Sequence, residues 1–161
     1  MRPGKATAPH ASESGFTLIA LLIAMFVIAM GLSVAGPTWH EQNRRAKERE
    51  LMRVGALYAH ALADFRESAP GSLKTYPKSL DELVLDTRFL GVRRHLRRLY
   101  PDPLDPARPW GVVRDIDGYI VGVYSQSSDA PLVTGAIDLG DIALPPARHY
   151  SDWKFAPPNP P

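Results

Sequence analysis

The sequence predicts an α+β fold: a long N-terminal helix, half apolar and half amphipathic, packed on a small antiparallel sheet of about three strands. Three observations predict it. Residues 16–36 are almost wholly apolar, and no Asp, Glu, Lys or Arg occurs between Ser14 and His40. Residues 40–67 lack proline, and Leu51, Val54, Tyr58, Leu62 and Phe65 follow one another at steps of three or four, which draws one apolar stripe on a helix. Beyond residue 109 the chain turns to Val, Ile, Tyr and Trp, with Asp117-Gly118 placed between two such runs as a hairpin turn.

Size and composition bound the rest. The chain has 161 residues. Setting aside about forty for the N-terminal leader and apolar run leaves enough for one small domain. The net charge of +2 makes no demand for a nucleic-acid partner. The absence of cysteine excludes disulfides, thiolate metal sites and a cysteine nucleophile. Prolines cluster at Pro101, Pro103, Pro106 and Pro109 and again at Pro157, Pro158, Pro160 and Pro161, marking loops and a tail.

Arg2, Lys5 and His10 give the leader a basic character. The run from Phe16 to Gly36 is long enough to cross a bilayer, which takes about 20 apolar residues. A secretory signal has a shorter apolar core followed by a small-x-small site, which Val34-Ala35-Gly36 matches only weakly. Gly15 lies before the run, so a cut there leaves the apolar segment on the mature chain.

Gly15-Phe16-Thr17-Leu18-Ile19 resembles the prepilin peptidase site of type IV pilins and type II secretion pseudopilins. The resemblance implies cleavage between Gly15 and Phe16, N-methylation of Phe16, and assembly through Phe16, Thr17, the fifth position Ala20, and Pro37, which stands where pilins commonly have a proline that bends the helix. It implies a prepilin leader over 1–15, a transmembrane or filament-core helix over 16–37 and a periplasmic pilin-like domain over 38–161. The implied partners are other pilins or pseudopilins, the prepilin peptidase and an inner-membrane assembly platform. In the family the fifth residue is usually Glu, paired with the amine of a neighbouring subunit; a carboxylate in hydrocarbon is costly unless paired, so it sets register. Ala20 cannot do this. It points to a minor subunit, such as one at a filament tip; a lineage that assembles without the pair is the other reading. Charge counting opposes the implied orientation, since Arg44, Arg45, Lys47 and Arg49 beyond the run outnumber Arg2 and Lys5 before it.

Ser68-Ala69-Pro70-Gly71 ends the long helix. Ser79 and Glu82 form a capping box for a short helix over 80–85. Arg88, Arg93, Arg94, His95, Arg97 and Arg98 follow, interleaved with Phe89, Val92, Leu96 and Leu99 as a predicted buried side. Arg93, Arg94, Arg97 and Arg98 read either as a partner- or phosphate-binding patch or as a solvated face; aromatics suited to base stacking are limited to Phe89 and Tyr100. The stretch Pro101 to Gly111 resembles the Asp-Pro…Trp-Gly segment that leads into the pseudopilin sheet. Strands are predicted over 110–116, 119–125 and 150–155.

The major pseudopilins bind calcium in the loop before their last strand. Here 125–149 offers Asp129, Asp138 and Asp141, with Asp152 beyond, and oxygen is the donor calcium prefers. The spacing is not that of an EF-hand and the family's Gly-rich acidic pattern is missing, so no cofactor is expected and calcium is the weak candidate. Ser127, His149 and Asp152 make a triad only on paper, and no phosphate loop or nucleophile motif occurs. The expected function is therefore structural rather than enzymatic: a subunit of a type II secretion pseudopilus or a related type IV filament. The alternatives are a DNA- or surface-binding minor pilin and an uncleaved single-pass membrane protein.

Overall fold

The computed structural model describes residues 13–71 and 74–157, and the side chains of these except 13–15 and 32–39. Leader residues 1–12 and the side chains around Pro37 fall outside what is described. The chain divides into two units, 1–43 and 44–161. Helix α1 covers Glu13–Glu67. After it come helix α2 (Asp81–Val84), strands β1 (Gly111–Arg114), β2 (Ile120–Tyr124), β3 (Ile137–Asp138) and β4 (Ala143–Leu144), and a 3-10 turn at Tyr150–Asp152.

The second unit is built on the amphipathic half of α1. Leu51, Val54, Tyr58, Leu62 and Phe65 are each at most 2 % exposed, so the stripe read from the sequence is the inner wall of the core. Trp110, Ile120, Val123, Trp153 and Phe155 cover it. The Tyr58 and Trp110 rings lie 5.4 Å apart and the Trp110 and Phe155 rings 6.3 Å apart, the second pair edge to face. Tyr58 also fixes the proline-rich segment. Its hydroxyl donates to the Tyr100 carbonyl at 3.0 Å and accepts from the Tyr100 N–H at 2.9 Å. Trp110 Nε1 donates to the same carbonyl at 2.9 Å.

Helix α1 ends where its carbonyls find other donors. Ser68 N–H returns to the Asp64 carbonyl at 3.0 Å, and Arg88 Nη2 donates to the Phe65 carbonyl at 2.7 Å. Gly71, at φ 88°, then takes the left-handed conformation that a side chain disfavours. Helix α2 is one turn, shorter than the predicted 80–85. Glu82 reaches back to the Ser79 N–H at 3.2 Å as the capping box requires, while Ser79 Oγ accepts from Asp81 N–H rather than from Glu82 N–H.

Strands β1 and β2 pair antiparallel, with a register shift between Val113 and Arg114. Their connection is longer than the two-residue turn expected at Asp117-Gly118. Asp115 N–H bonds the Tyr119 carbonyl at 2.9 Å, Gly118 N–H returns to the Asp115 carbonyl at 3.1 Å, and Gly118 sits at φ 83°. The Asp115 carboxylate accepts from Asp117 N–H and Tyr119 N–H, and so stabilises the wider loop.

The predicted third strand over 150–155 is mostly a 3-10 turn. Asp152 Oδ2 accepts from the N–H groups of Arg148 and His149, which favours a turn over a ladder. Tyr150 and Trp153, three apart, are both buried with ring centroids 5.4 Å apart; strand alternation would send them to opposite faces. Only Phe155 joins the sheet, through a single antiparallel bridge in which it exchanges both backbone bonds with Val123 at 2.8 and 2.9 Å. The segment read as a loop instead contains the β3–β4 hairpin, with Gly140 at φ 95°.

That loop is clipped to α1 by Glu48. The carboxylate is 2 % exposed and accepts from Leu132 N–H at 2.9 Å, Val133 N–H at 3.1 Å and the Tyr150 hydroxyl at 2.8 Å. A buried carboxylate is tolerated when its lone pairs are filled this way. Burial, with the Glu48 carboxylate beside it, pushes the Tyr150 phenol up to about 12.

Two outcomes follow from this packing. A Cβ at Gly55 would lie 2.5 Å from the Phe155 ring, and Phe155 is held by its backbone bridge. Gly55→Ala is therefore expected to lower stability by about 1–3 kcal/mol despite the roughly 1 kcal/mol that alanine gains within a helix; equal or higher stability in urea unfolding would contradict the contact. Tyr150 has a raised folded-state pKa, so its contribution is present below its ordinary value near 10 and is lost as pH rises towards 12. Tyr150→Phe should cost about 1–2 kcal/mol at neutral pH and flatten the stability loss across that alkaline window, as followed by pH-dependent unfolding.

Candidate functional site

In the first unit the residues of the motif lie on α1. Phe16 is 77 % exposed, and every large apolar side chain from Leu18 to Met30 is at least 58 % exposed. Only alanines interrupt these side chains between 18 and 30, so they surround the helix rather than forming a stripe. A helix apolar on all sides belongs in hydrocarbon or among other helices. Ala20 is exposed among them and brings no charge to this surface. Among the described residues no helix is long and apolar enough to cross a membrane; described side chains of the apolar run stop at Gly31. Gly15 and Pro37 lie within the α1 span, and their surroundings lie outside the described side chains.

In the second unit the arginine segment forms an irregular loop against the C-terminal turns of α1. Its anchor is Asp86, 1 % exposed. Arg88 bonds both Asp86 oxygens, through Nε at 2.9 Å and Nη2 at 2.7 Å, and lies 3.5 Å from the Phe65 ring centroid. His95 Nε2 lies 3.1 Å from Asp86 Oδ2. The Arg88 hydrogen bonds hold the Asp86 carboxyl well below the usual carboxylate range, against the opposing effect of burial. Backbone pairing of Asp86 with Arg93, and of His95 and Leu96 N–H with the Leu83 carbonyl, fixes the returning strand of the loop.

The predicted buried side of this loop is smaller than expected. Leu96 is buried and Phe89 half-buried, but Val92 is 74 % and Leu99 40 % exposed. The loop follows no helical period, so side chains spaced for a helix do not meet. Arg93, Arg94, Arg97 and Arg98 are all exposed, and among the described residues no carboxylate lies within salt-bridge distance of them. Asp64 and Glu67 share an open pocket of about 480 Å³ with Arg93 and Arg94. The two aromatic rings nearby are already engaged: the Arg93 guanidinium lies 4.7 Å from the Phe89 centroid and that of Arg98 lies 5.1 Å from Tyr100.

The three carboxylates considered for calcium go separate ways. Asp129 is exposed beside Arg44 and Lys47, Asp138 Oδ1 accepts from Gly140 N–H at 2.8 Å, and Asp141 lies 3.5 Å from His60. Among the described residues no group of three or more His, Asp or Glu side chains is placed to hold a metal ion. The paper triad has other engagements too: His149 Nδ1 faces the Ser128 carbonyl at 2.6 Å, Asp152 accepts backbone N–H groups, and Ser127 Oγ accepts from Asp129 N–H. Sequence reasoning missed Glu48. Its only sequence signal was a carboxylate three positions before Leu51 of the stripe, on the edge of the buried face.

A family model, the prokaryotic N-terminal methylation motif, matches residues 10–36. No curated protein and no solved structure matches the chain. The matched segment contains Gly15, Phe16, Thr17 and Ala20, and the α+β fold, a long N-terminal helix with small antiparallel sheets, is consistent with the pilin fold. The chain carries the N-terminal methylation signal of type IV pilins and pseudopilins, which supports its place in a pilin-like family.

Proposed function

We propose that this chain is a structural subunit of a type II secretion pseudopilus or a related type IV filament, occupying a minor position. The observation that carries the reading is the helix from Phe16 to Met30, apolar and exposed on every side. Such a surface has to be covered. Lipid of the inner membrane covers it before assembly, and the helices of neighbouring subunits cover it afterwards. A prepilin peptidase cuts between Gly15 and Phe16 and the new terminal amine of Phe16 is methylated, as the methylation motif over 10–36 supports. The second unit, folded on the amphipathic half of α1, is the periplasmic face presented to other subunits.

The minor position rests on Ala20. A glutamate there would bring each subunit a charge to pair with its neighbour's amine, and an alanine leaves the amine of any subunit stacked on this one without that partner. A subunit with no such neighbour loses nothing by the change.

Mass spectrometry of the intact protein recovered from cells tests the processing. In cells with an active prepilin peptidase, the expected mass is that of residues 16–161 plus one methyl group. In cells lacking the peptidase, the full chain should be recovered, and Gly15→Leu should give the full chain in both. Retention of residues 1–15 in the presence of the active peptidase would overturn the reading in favour of an uncleaved single-pass protein.

A further inference from the structure

The charges of the second unit are segregated along the chain. Residues 88–98 hold five arginines and no carboxylate, whereas residues 115–147 hold five aspartates and no Lys or Arg. On the basic side, Arg93, Arg94, Arg97 and Arg98 are exposed and form no salt bridge among the described residues. Between them and Phe89 the loop raises Leu90, fully exposed, and Val92, 74 % exposed. On the acidic side, the β3–β4 hairpin displays Asp138 and Asp141, with Val133 42 % exposed just before it. Among the described residues, His60 is the one basic side chain in ion-pair range of this hairpin, 3.5 Å from Asp141. No salt bridge joins the two surfaces within one copy.

We propose that the Leu90–Arg98 loop of one copy docks on the β3–β4 hairpin of a second copy of this chain. Each surface combines an exposed aliphatic group with exposed charged side chains, arginine on the loop and aspartate on the hairpin. Opposite patches attract, while loop against loop or hairpin against hairpin sets like charges together. Unlike surfaces can meet reciprocally, closing a two-fold dimer, or in one direction, leaving a loop and a hairpin free at the ends. The other occupants fit less well. A nucleic acid would find the phosphate-binding arginines but no free stacking ring, because Arg93 and Arg98 already lie on Phe89 and Tyr100. Anionic lipid would match the arginines and Leu90 but leaves the acidic hairpin without a role. The inference concerns the folded domain and holds whether or not the leader is removed.

The chain has no cysteine, so cross-links can be placed at will. Full-length chains carrying Leu90→Cys and Ala136→Cys are purified separately, mixed in detergent micelles and oxidised mildly. Ala136 is exposed and adjoins β3. The mixture should give a mixed dimer that neither variant gives alone, and a chain with both changes should give cross-linked dimers or longer species. Arg93→Glu with Arg94→Glu on the Leu90→Cys chain should lower the mixed-dimer yield at least about tenfold, and Asp138→Arg on the other chain should restore much of it. The N-terminal helix is the same in every sample, so helix association cannot produce this pattern. Dimers of Leu90→Cys alone matching the mixture, or a yield unmoved by the charge changes, would overturn the proposal. So would an environment-sensitive dye at position 90 that responds to phosphatidylglycerol vesicles, or to duplex DNA, and not to added protein. A processed N-terminus without the cross-link would remove this contact and leave the filament reading in place; the cross-link on an unprocessed chain would do the reverse.

Discussion

The globular unit depends on keeping one face of one helix dry. Leu51, Val54, Tyr58, Leu62 and Phe65 supply that face, and very little regular structure is available to cover it: two short two-stranded ladders and a single-turn helix. Covering a helix with irregular chain raises a difficulty, since each loop carries backbone polar groups that need partners. The solution recurs at three places. Tyr58 serves the backbone of Tyr100 in both directions, Glu48 gathers the N–H groups of Leu132 and Val133, and buried Asp102 accepts from Ser125 Oγ at 2.5 Å and from Leu104 N–H at 2.9 Å. Side chains thus take over the work a larger sheet would do. Losing one of them leaves buried groups unpaired, which costs more than the bond itself.

Helix α1 answers two opposite demands. Between residues 44 and 67 its apolar groups lie on one face and its own chain covers them. Between Phe16 and Met30 eleven large apolar side chains are exposed, and none of the described residues covers them. Burying a side chain of this kind is worth about 1.5–3 kcal/mol, so leaving all of them in water would forgo a free energy larger than the whole stability of a typical domain. Covering that surface is accordingly the strongest thermodynamic requirement the chain presents.

What was legible in the sequence follows from this division. The apolar run, the stripe and the central hairpin each have a strong period or turn signal, and each appears in the structure. The failures have a common physical source. Over 150–155 the aromatic residues suit a strand, but Asp152 captures backbone N–H groups and Tyr150 and Trp153 pack on one side, so a turn wins over the ladder. Around Arg88 the interleaved apolar residues are expected on one buried side, yet Asp86 and the Leu83 carbonyl hold the loop irregular, and Val92 and Leu99 are left outside. Strands β3 and β4 are two residues each, too short for alternation to register. The burial of Glu48 is not legible locally, because its partners lie more than eighty residues away.

Ala20 and the segregated charges of the domain bear on the same problem from two ends. Packing between apolar helices in an apolar surrounding has little directional preference, so register must come from polar contacts. A paired carboxylate within hydrocarbon supplies it strongly, because the unpaired state is so costly. With alanine at that position the helix brings no carboxylate to such a pair, and more of the positioning falls to the charges of the domain. Surface charges do this more weakly and through water, with their influence falling off over about 8–10 Å in salt. On the proposed reading, a subunit built this way is positioned by its domain rather than by its anchor, and its place in an assembly depends on ionic strength in a way that a buried pair does not.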